Sequence, residues 1–252
     1  MKLRKANQTF LTNKEVILNN SIQLIRYQDC PSTPWKNGGG STKQLLISPI
    51  NAELTEFDYR ISIASISSNG PFSSFIDIDR QLLILEGDGV ELSINSHEGT
   101  KQINGLGAGE KISGNTNTTE YKRLTPADSP FCFAGETSIT SQLLGSDVID
   151  FNVMTKRGAF KAHTQRLSFD DTFIEEQIAT SNNPQNELQK TKAYVPIIQI
   201  LCCLDTMTWE HNGQVIKIMP YDILVFQQGD GITLKTTRPS RLLKVSITAC
   251  PL

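Results

Sequence analysis

The alternation over residues 57–64 constrains this chain more than any other stretch. Phe57, Tyr59, Ile61 and Ile63 fall on one side; Asp58, Arg60, Ser62 and Ala64 fall on the other. A period of two sustained over that length cannot form a helical stripe and defines an extended strand with one core-facing side. Whether the side carrying Arg60 and Ser62 meets water or a lined cavity is not decided by periodicity. Short runs of the same character recur at intervals of about ten residues, as in sandwiches and barrels. Residues 22–27, 43–48, 81–85, 90–94, 130–136, 137–144 and 150–154 read as strands, and Asp150, Asn152 and Met154 share a face in the last of them. Asn69-Gly70-Pro71 and Glu86-Gly87-Asp88-Gly89 are turns, as is the glycine-spaced stretch 105–109. Strand-like runs resume at 195–204, 207–210, 215–218, 223–226, 232–236 and 241–248. The expectation is an all-β chain with little helix.

Three stretches stand outside the rhythm. Residues 1–20 read as a polar N-terminal extension with one short strand at 16–18, and 111–119 as irregular. Residues 158–192 read as a surface excursion, with a short helix at 170–178 and a breaker at Asn182-Asn183-Pro184.

Composition narrows the function. The 252 residues carry a formal net charge of −2, which leaves no electrostatic footprint for nucleic acid or an anionic membrane surface. No apolar run reaches membrane-spanning length, and Lys2, Arg4 and Lys5 are not followed by an apolar segment of the secretory type. Five cysteines, an odd number without a C-x-x-C, fit reduced and mostly buried thiols in a cytoplasmic protein. His97, His163 and His211 are the only histidines, and none stands at ligand spacing from another His or Cys, so no metal is expected.

The densest functional signal is Trp35-Lys36-Asn37-Gly38-Gly39-Gly40. Three glycines bury nothing; they mark backbone bent through positive φ, or backbone that something approaches closely. An apolar ring, a cation and an amide stand before them, a set suited to a small polar ligand. Lys36 precedes the glycines and the flanks are strands, so this is not a phosphate-binding loop of the strand–turn–helix kind. Arg60, Arg80 and Arg157 are the candidates for pairing a carboxylate. Asn152 offers an amide. No serine elbow or Cys/His pair recommends a nucleophile, so acid–base chemistry would fall to Glu86, Asp58 or Tyr59.

Several blocks in order resemble the HutD/Ves family: Pro34–Gly40 as PWKNGGG, residues 57–64 as FDYRISIA, 70–75 as GPFSSF, Asp79-Arg80, Leu85-Glu86-Gly87, Phe133-Ala134-Gly135-Glu136, and Asp150-Phe151-Asn152-Val153-Met154 with Arg157. They cover residues 22–157. The resemblance implies a bicupin, two packed β-barrel or jelly-roll units in one chain, with 21–157 as the first unit and 193–252 completing the second. It implies a non-catalytic protein without a cofactor that binds a small anionic metabolite, with N-formylglutamate the proposed ligand, and acts as a regulator in histidine utilisation or stress response. Its pocket would gather Trp35, Lys36, Asn37, the three glycines, Arg60, Ser62, Arg80, Asn152 and Arg157. Two alternatives stand beside it: a metal-independent isomerase or acyl-amino-acid hydrolase, and a protein-interaction module working through the 158–192 excursion. Exposed strand edges raise the expectation of a homodimer.

Overall fold

The computed structural model describes residues 16–19, 22–97, 117–175, 196–211, 213–227 and 231–251. Among them the chain is β throughout apart from one 3-10 turn at Tyr27–Asp29. The strands are β1 (Val16–Asn19), β2 (Ile22–Ile25), β3 (Ser32–Pro34), β4 (Gly40–Ser48), β5 (Tyr59–Ile66), β6 (Gly70–Pro71) and β7 (Ile78–Glu86). There follow β8 (Val90–His97), β9 (Asn117–Leu124), β10 (Phe131–Ala134), β11 (Ser138–Leu143), β12 (Val148–Lys156), β13 (Phe160–Phe169) and β14 (Thr172–Glu175). The last six are β15 (Pro196–Cys203), β16 (Met207–His211), β17 (Gln214–Ile218), β18 (Ile223–Phe226), β19 (Ile232–Lys235) and β20 (Ser240–Ala249). The turn at 105–109 and residues 111–116 lie outside the described residues. Asn117–Thr119 begins strand β9 rather than irregular chain, because it continues the pairing of β9 with β8 to Asn117↔His97.

The described residues form two compact units that interleave along the chain, where the sequence suggested a first unit at 21–157 and a second completed by 193–252. The larger gathers residues up to Ser32, Lys43–Ser62, and those from Val153 onward; the smaller gathers Thr33–Thr42 and Ile63–Asn152.

The smaller unit packs the four-stranded sheet β6-β11-β8-β9 over its portions of β5, β7 and β12. Val90, Leu92, Ile94, Leu124 and Ile139 meet Ile66, Leu82, Ile84 and Val148 in one apolar cluster, with Trp35, Phe72, Phe131 and Phe133 packed at its margin. Gly87 (φ 92) and Gly89 (φ 102) turn β7 into β8, a conformation that side-chain-bearing residues adopt only at a cost. Asp88 between them accepts hydrogen bonds from the Ser146 backbone N–H and hydroxyl, both at 2.8 Å, which holds its carboxyl below the usual carboxylate range.

The larger unit has a six-stranded sheet, β1-β2-β18-β15-β20-β13, and a four-stranded one, β14-β19-β16-β17. Their facing sides bury Ile22, Leu24, Leu201, Cys203, Trp209, Leu224, Phe226, Leu234 and Leu242. Two expectations are corrected here. The short helix at 170–178 is, in its described part, strand β14: Phe173 pairs with Leu234 and packs on this core while Ile174 points outward, 58% exposed. The excursion at 158–192 begins as a full sheet member, since Phe160–Phe169 pairs residue for residue with Ser240–Ala249. Its sequence looks irregular because an edge strand with a solvated side carries polar residues at alternate positions. Residues 176–195 lie outside the described residues. The N-terminal strand expected at 16–18 is present as β1, paired with β2.

Candidate functional site

In the smaller unit, strand pairing sets Arg80 directly across from Phe133, between β7 and β10. Arg80 shares its side of β7 with Leu82 and Ile84, so the guanidinium stands at the margin of the apolar cluster and is only 6% exposed. Three rings surround it: the guanidinium carbon lies 4.8 Å from the Phe133 ring centre, 5.5 Å from that of Phe75 and 5.6 Å from that of Phe72. Arg80 Nε donates to Asn152 Oδ1 at 3.4 Å, and one terminal nitrogen donates to the Ser73 carbonyl at 3.1 Å. Asn152, 7% exposed, comes from the adjacent strand β12. Burying a cation is costly, and planar aromatic faces return part of that cost through their negative quadrupoles. The result is a planar donor group held in orientation inside an apolar frame, the arrangement that strengthens pairing with a carboxylate.

The structure therefore brings Arg80 and Asn152 together. Phe72, Phe75 and Phe133 are the partners that no single-residue rule would select, although each lies in a block quoted above. The Trp35–Gly40 stretch belongs to the same unit and is the turn between β3 and β4. Trp35 N–H donates to the Gly40 carbonyl at 2.9 Å, Gly38 N–H to the Trp35 carbonyl at 3.0 Å, and Trp35 Nε1 to Thr42 Oγ1 at 2.8 Å. Asn37 accepts from the Gly39 N–H at 3.1 Å, which commits its carbonyl end to the turn. The glycines have separate reasons. Gly38 sits at φ 71; a Cβ on Gly39 would strike the Ser68 hydroxyl; one on Gly40 would strike the Ser65 carbonyl and lie 3.1 Å from the Trp35 ring. Close approach of neighbouring chain accounts for Gly39 and Gly40. Lys36 and Asn37 are exposed.

Arg60, Ser62 and Arg157 belong to the larger unit. Both sides of β5 are buried, so the polar side noted in the sequence does not face water: Arg60 is 8% and Ser62 3% exposed. Arg60 Nε donates to Gln44 Oε1 at 2.9 Å and a terminal nitrogen to Met154 Sδ at 3.5 Å. Gln44 carried no signal in the sequence. Arg157 is exposed in the turn between β12 and β13. Of the acid–base candidates, Glu86 is exposed and Tyr59 is 4% exposed. Burial raises the Tyr59 phenol above its ordinary value, against a smaller lowering by its hydrogen bond with Ser48, so it is neutral near pH 7. Asp58 lines an open cleft of about 310 Å³ with Glu53, Glu56 and Lys156, whose carboxylates outnumber its single lysine and oppose an anionic ligand. Among the described residues no group of three His, Cys, Asp or Glu is placed to hold a metal ion. Cys202 and Cys203 are buried, and burial raises both thiols well above their ordinary value; Cys132 is exposed and Cys30 and Cys250 half-buried, so mostly buried thiols hold only for the adjacent pair. No helix among the described residues is long and apolar enough to cross a membrane.

The comparisons agree with this architecture. The chain has the bicupin fold, two β-barrel units in one chain: HutD from Pseudomonas fluorescens SBW25 superposes with a TM-score of 0.63 at 22% identity, over 92% of this chain and 100% of that one. A Bacillus subtilis oxalate decarboxylase variant superposes with a TM-score of 0.54 at 6% identity, over 98% of this chain and 86% of that one. The HutD family model matches residues 27–244, and the chain belongs to the HutD family. An uncharacterized 21.2 kDa protein in the hutC 3' region of Pseudomonas putida is 32% identical over 146 residues, 58% of this chain and 64% of that protein. Protein Ves of Cronobacter sakazakii is 30% identical over 145 residues, 57% of this chain and 66% of Ves. The chain thus spans just under two thirds of the length of each of these relatives.

Proposed function

We propose that this HutD-family chain binds a small carboxylate-bearing metabolite at the Arg80 face of its smaller unit and works as a non-catalytic regulator. The observation that carries the reading is Arg80 itself, an arginine over nine-tenths buried, flanked by three phenylalanine rings and oriented by Asn152 and the Ser73 carbonyl. A guanidinium held this way suits a carboxylate, and the neighbouring Asn152 amide suits a formamide or amide group on the same ligand. N-formylglutamate combines those groups. The placement of the Pseudomonas putida relative in a hutC 3' region supports a role in histidine utilisation. The high-lying Tyr59 phenol and the exposed Glu86 give no support to the hydrolase or isomerase alternative.

Isothermal titration of the purified chain with N-formylglutamate, glutamate and urocanate tests the reading. Saturable binding of at least one of them is expected, weakened at least about tenfold in Arg80→Met, because a charge-assisted pair of this kind is lost. A folded chain that none of the three titrates, or an Arg80→Met variant that binds like wild type, overturns it.

A further inference from the structure

The larger unit carries an open cleft that the Arg80 reading does not use. It lies where the chain passes from β4 to β5, over residues 49–58, and takes in Lys156 at the end of β12. All of these residues belong to the larger unit. The backbone around the cleft is pinned. Asp58 N–H donates to the Ser48 carbonyl at 2.6 Å, and Lys156 N–H donates to the Asp58 carbonyl at 2.8 Å, which sets the end of β12 against the start of β5. Between them the loop folds through two further turns, Ala52 N–H to the Pro49 carbonyl and Glu56 N–H to the Glu53 carbonyl, both at 3.0 Å.

The lining combines an apolar wall with charges of both signs. Phe57, 2% exposed, and Pro49 supply the wall. Glu53, Glu56 and Asp58 bring carboxylates and Lys156 an ammonium; Asp58 is half-buried and the other three are exposed. Among the described residues none of these four side chains is held in an ion pair or a hydrogen bond. The volume, about 310 Å³, falls within the range of small-ligand pockets. A solvated loop accounts for scattered charge. It does not account for opposite charges that share one concave apolar wall and leave each other unpaired. The group that reverses this lining is a small zwitterion with more ammonium than carboxylate. A basic amino acid has that charge pattern near pH 7, and its methylene stem suits an apolar wall.

We propose that this cleft binds a basic amino acid. Lys156 receives the α-carboxylate, Glu53, Glu56 and Asp58 receive the two ammonium groups, and the methylene stem lies against Phe57 and Pro49. The site is confined to the larger unit and does not depend on the Arg80 reading.

Amide-resolved NMR of the isotopically labelled full chain, titrated with L-lysine, tests it. Two controls each remove one charge: L-norleucine lacks the side-chain ammonium, and cadaverine lacks the carboxylate. L-Lysine is expected to shift the amides of residues 50–58 and 155–157 saturably, with each control weaker by at least about threefold, because each forfeits a charge-assisted contact. Glu53→Gln/Glu56→Gln, at two exposed positions that folding does not need, should weaken L-lysine at least about fivefold. Lys156→Met should weaken L-lysine and leave cadaverine no weaker, since cadaverine has no carboxylate to lose. Arg80→Met should leave the L-lysine titration unchanged, so failure here and failure of the Arg80 reading are separately visible. Absence of saturable shifts with L-lysine, or wild-type behaviour of either cleft variant, overturns the proposal. Cadaverine binding as tightly as L-lysine overturns it too, because that is the order simple adsorption of positive charge produces.

Discussion

At the scale of single residues, the triple glycine and Arg80 show how one residue type serves different physical ends. Gly38 needs its conformation, whereas Gly40 needs its missing side chain. Gly38→Ala, at φ 71 with open space around it, is expected to cost about 1–2 kcal/mol from left-handed backbone alone. Gly40→Ala must displace the Ser65 carbonyl or the Trp35 ring and should cost about 1–3 kcal/mol by overpacking. Urea unfolding of both variants checks these values, and a Gly40→Ala variant as stable as wild type would remove the close-approach explanation. Arg80→Lys keeps the charge and loses the flat donor fork that lies against Phe133. Titration calorimetry should therefore find carboxylate binding weakened in Arg80→Lys nearly as much as in Arg80→Met, since an ammonium neither stacks nor pairs bidentately. The types and positions of these residues were legible in the sequence. Their surroundings were not, because Phe72, Phe75 and Phe133 come from two separate segments that are brought together by the pairing of β7 with β10 and by the Phe75 N–H donating to the Gly135 carbonyl at 2.9 Å.

Among elements, the larger unit is tied together by a contact with no sequence signature. Asp222, 1% exposed, accepts from Arg26 at 2.7 Å, from the Tyr27 N–H at 2.9 Å and from the Met219 N–H at 2.9 Å. It joins the chain leaving β2 to the turn before β18, strands that pair over Ile22–Ile25 and Ile223–Phe226. Asp222→Ala takes the acceptor from both backbone N–H groups and leaves the partly buried Arg26 guanidinium only the Lys217 carbonyl at 2.7 Å, and should cost about 3 kcal/mol in chemical denaturation. Asp205 is the contrast. It pairs with Arg241 at 3.0 Å, but the arginine side chain is 61% exposed, so Asp205→Asn should cost about 1 kcal/mol or less. Hydrogen bonds from Arg241 hold the Asp205 carboxyl below its usual 3.8 in the folded state. That contribution is present above the unfolded value and is lost as pH falls through the folded one. Urea midpoints of wild type and Asp205→Asn should differ at pH 7 and converge in acid, as the pH falls below the unfolded value and then through the lowered folded one. A difference that persists in acid would assign the effect to something other than this ion pair.

For the whole molecule, the interleaving of the two units decides what can be cut. A chain ended at residue 157 retains every motif that resembles the family, yet it removes β18, the partner of β2, and all of β13, β15 and β20. Such a fragment is expected to lack a cooperative thermal transition, and a fragment 1–157 that unfolds sharply would show that the first blocks fold by themselves. Strand identity was written in the sequence because alternation and turn residues are local. The period of two at 57–64, the glycines around Asp88 and the spacing of the later runs all correspond to strands or turns in the structure. Where the local signal was weak, as at Phe160–Phe169 and Thr172–Glu175, pairing with a distant strand supplied the order. By itself the sequence determined an all-β chain of the HutD family and the residue types able to hold an anion. Only the tertiary structure decided that both sides of β5 are buried, that Arg80 lies among three aromatic rings beside Asn152, and that Lys156 lines the same cleft as Glu53, Glu56 and Asp58. Register and burial are non-local: they follow from which strands pair across long separations, and no window of the sequence contains both partners.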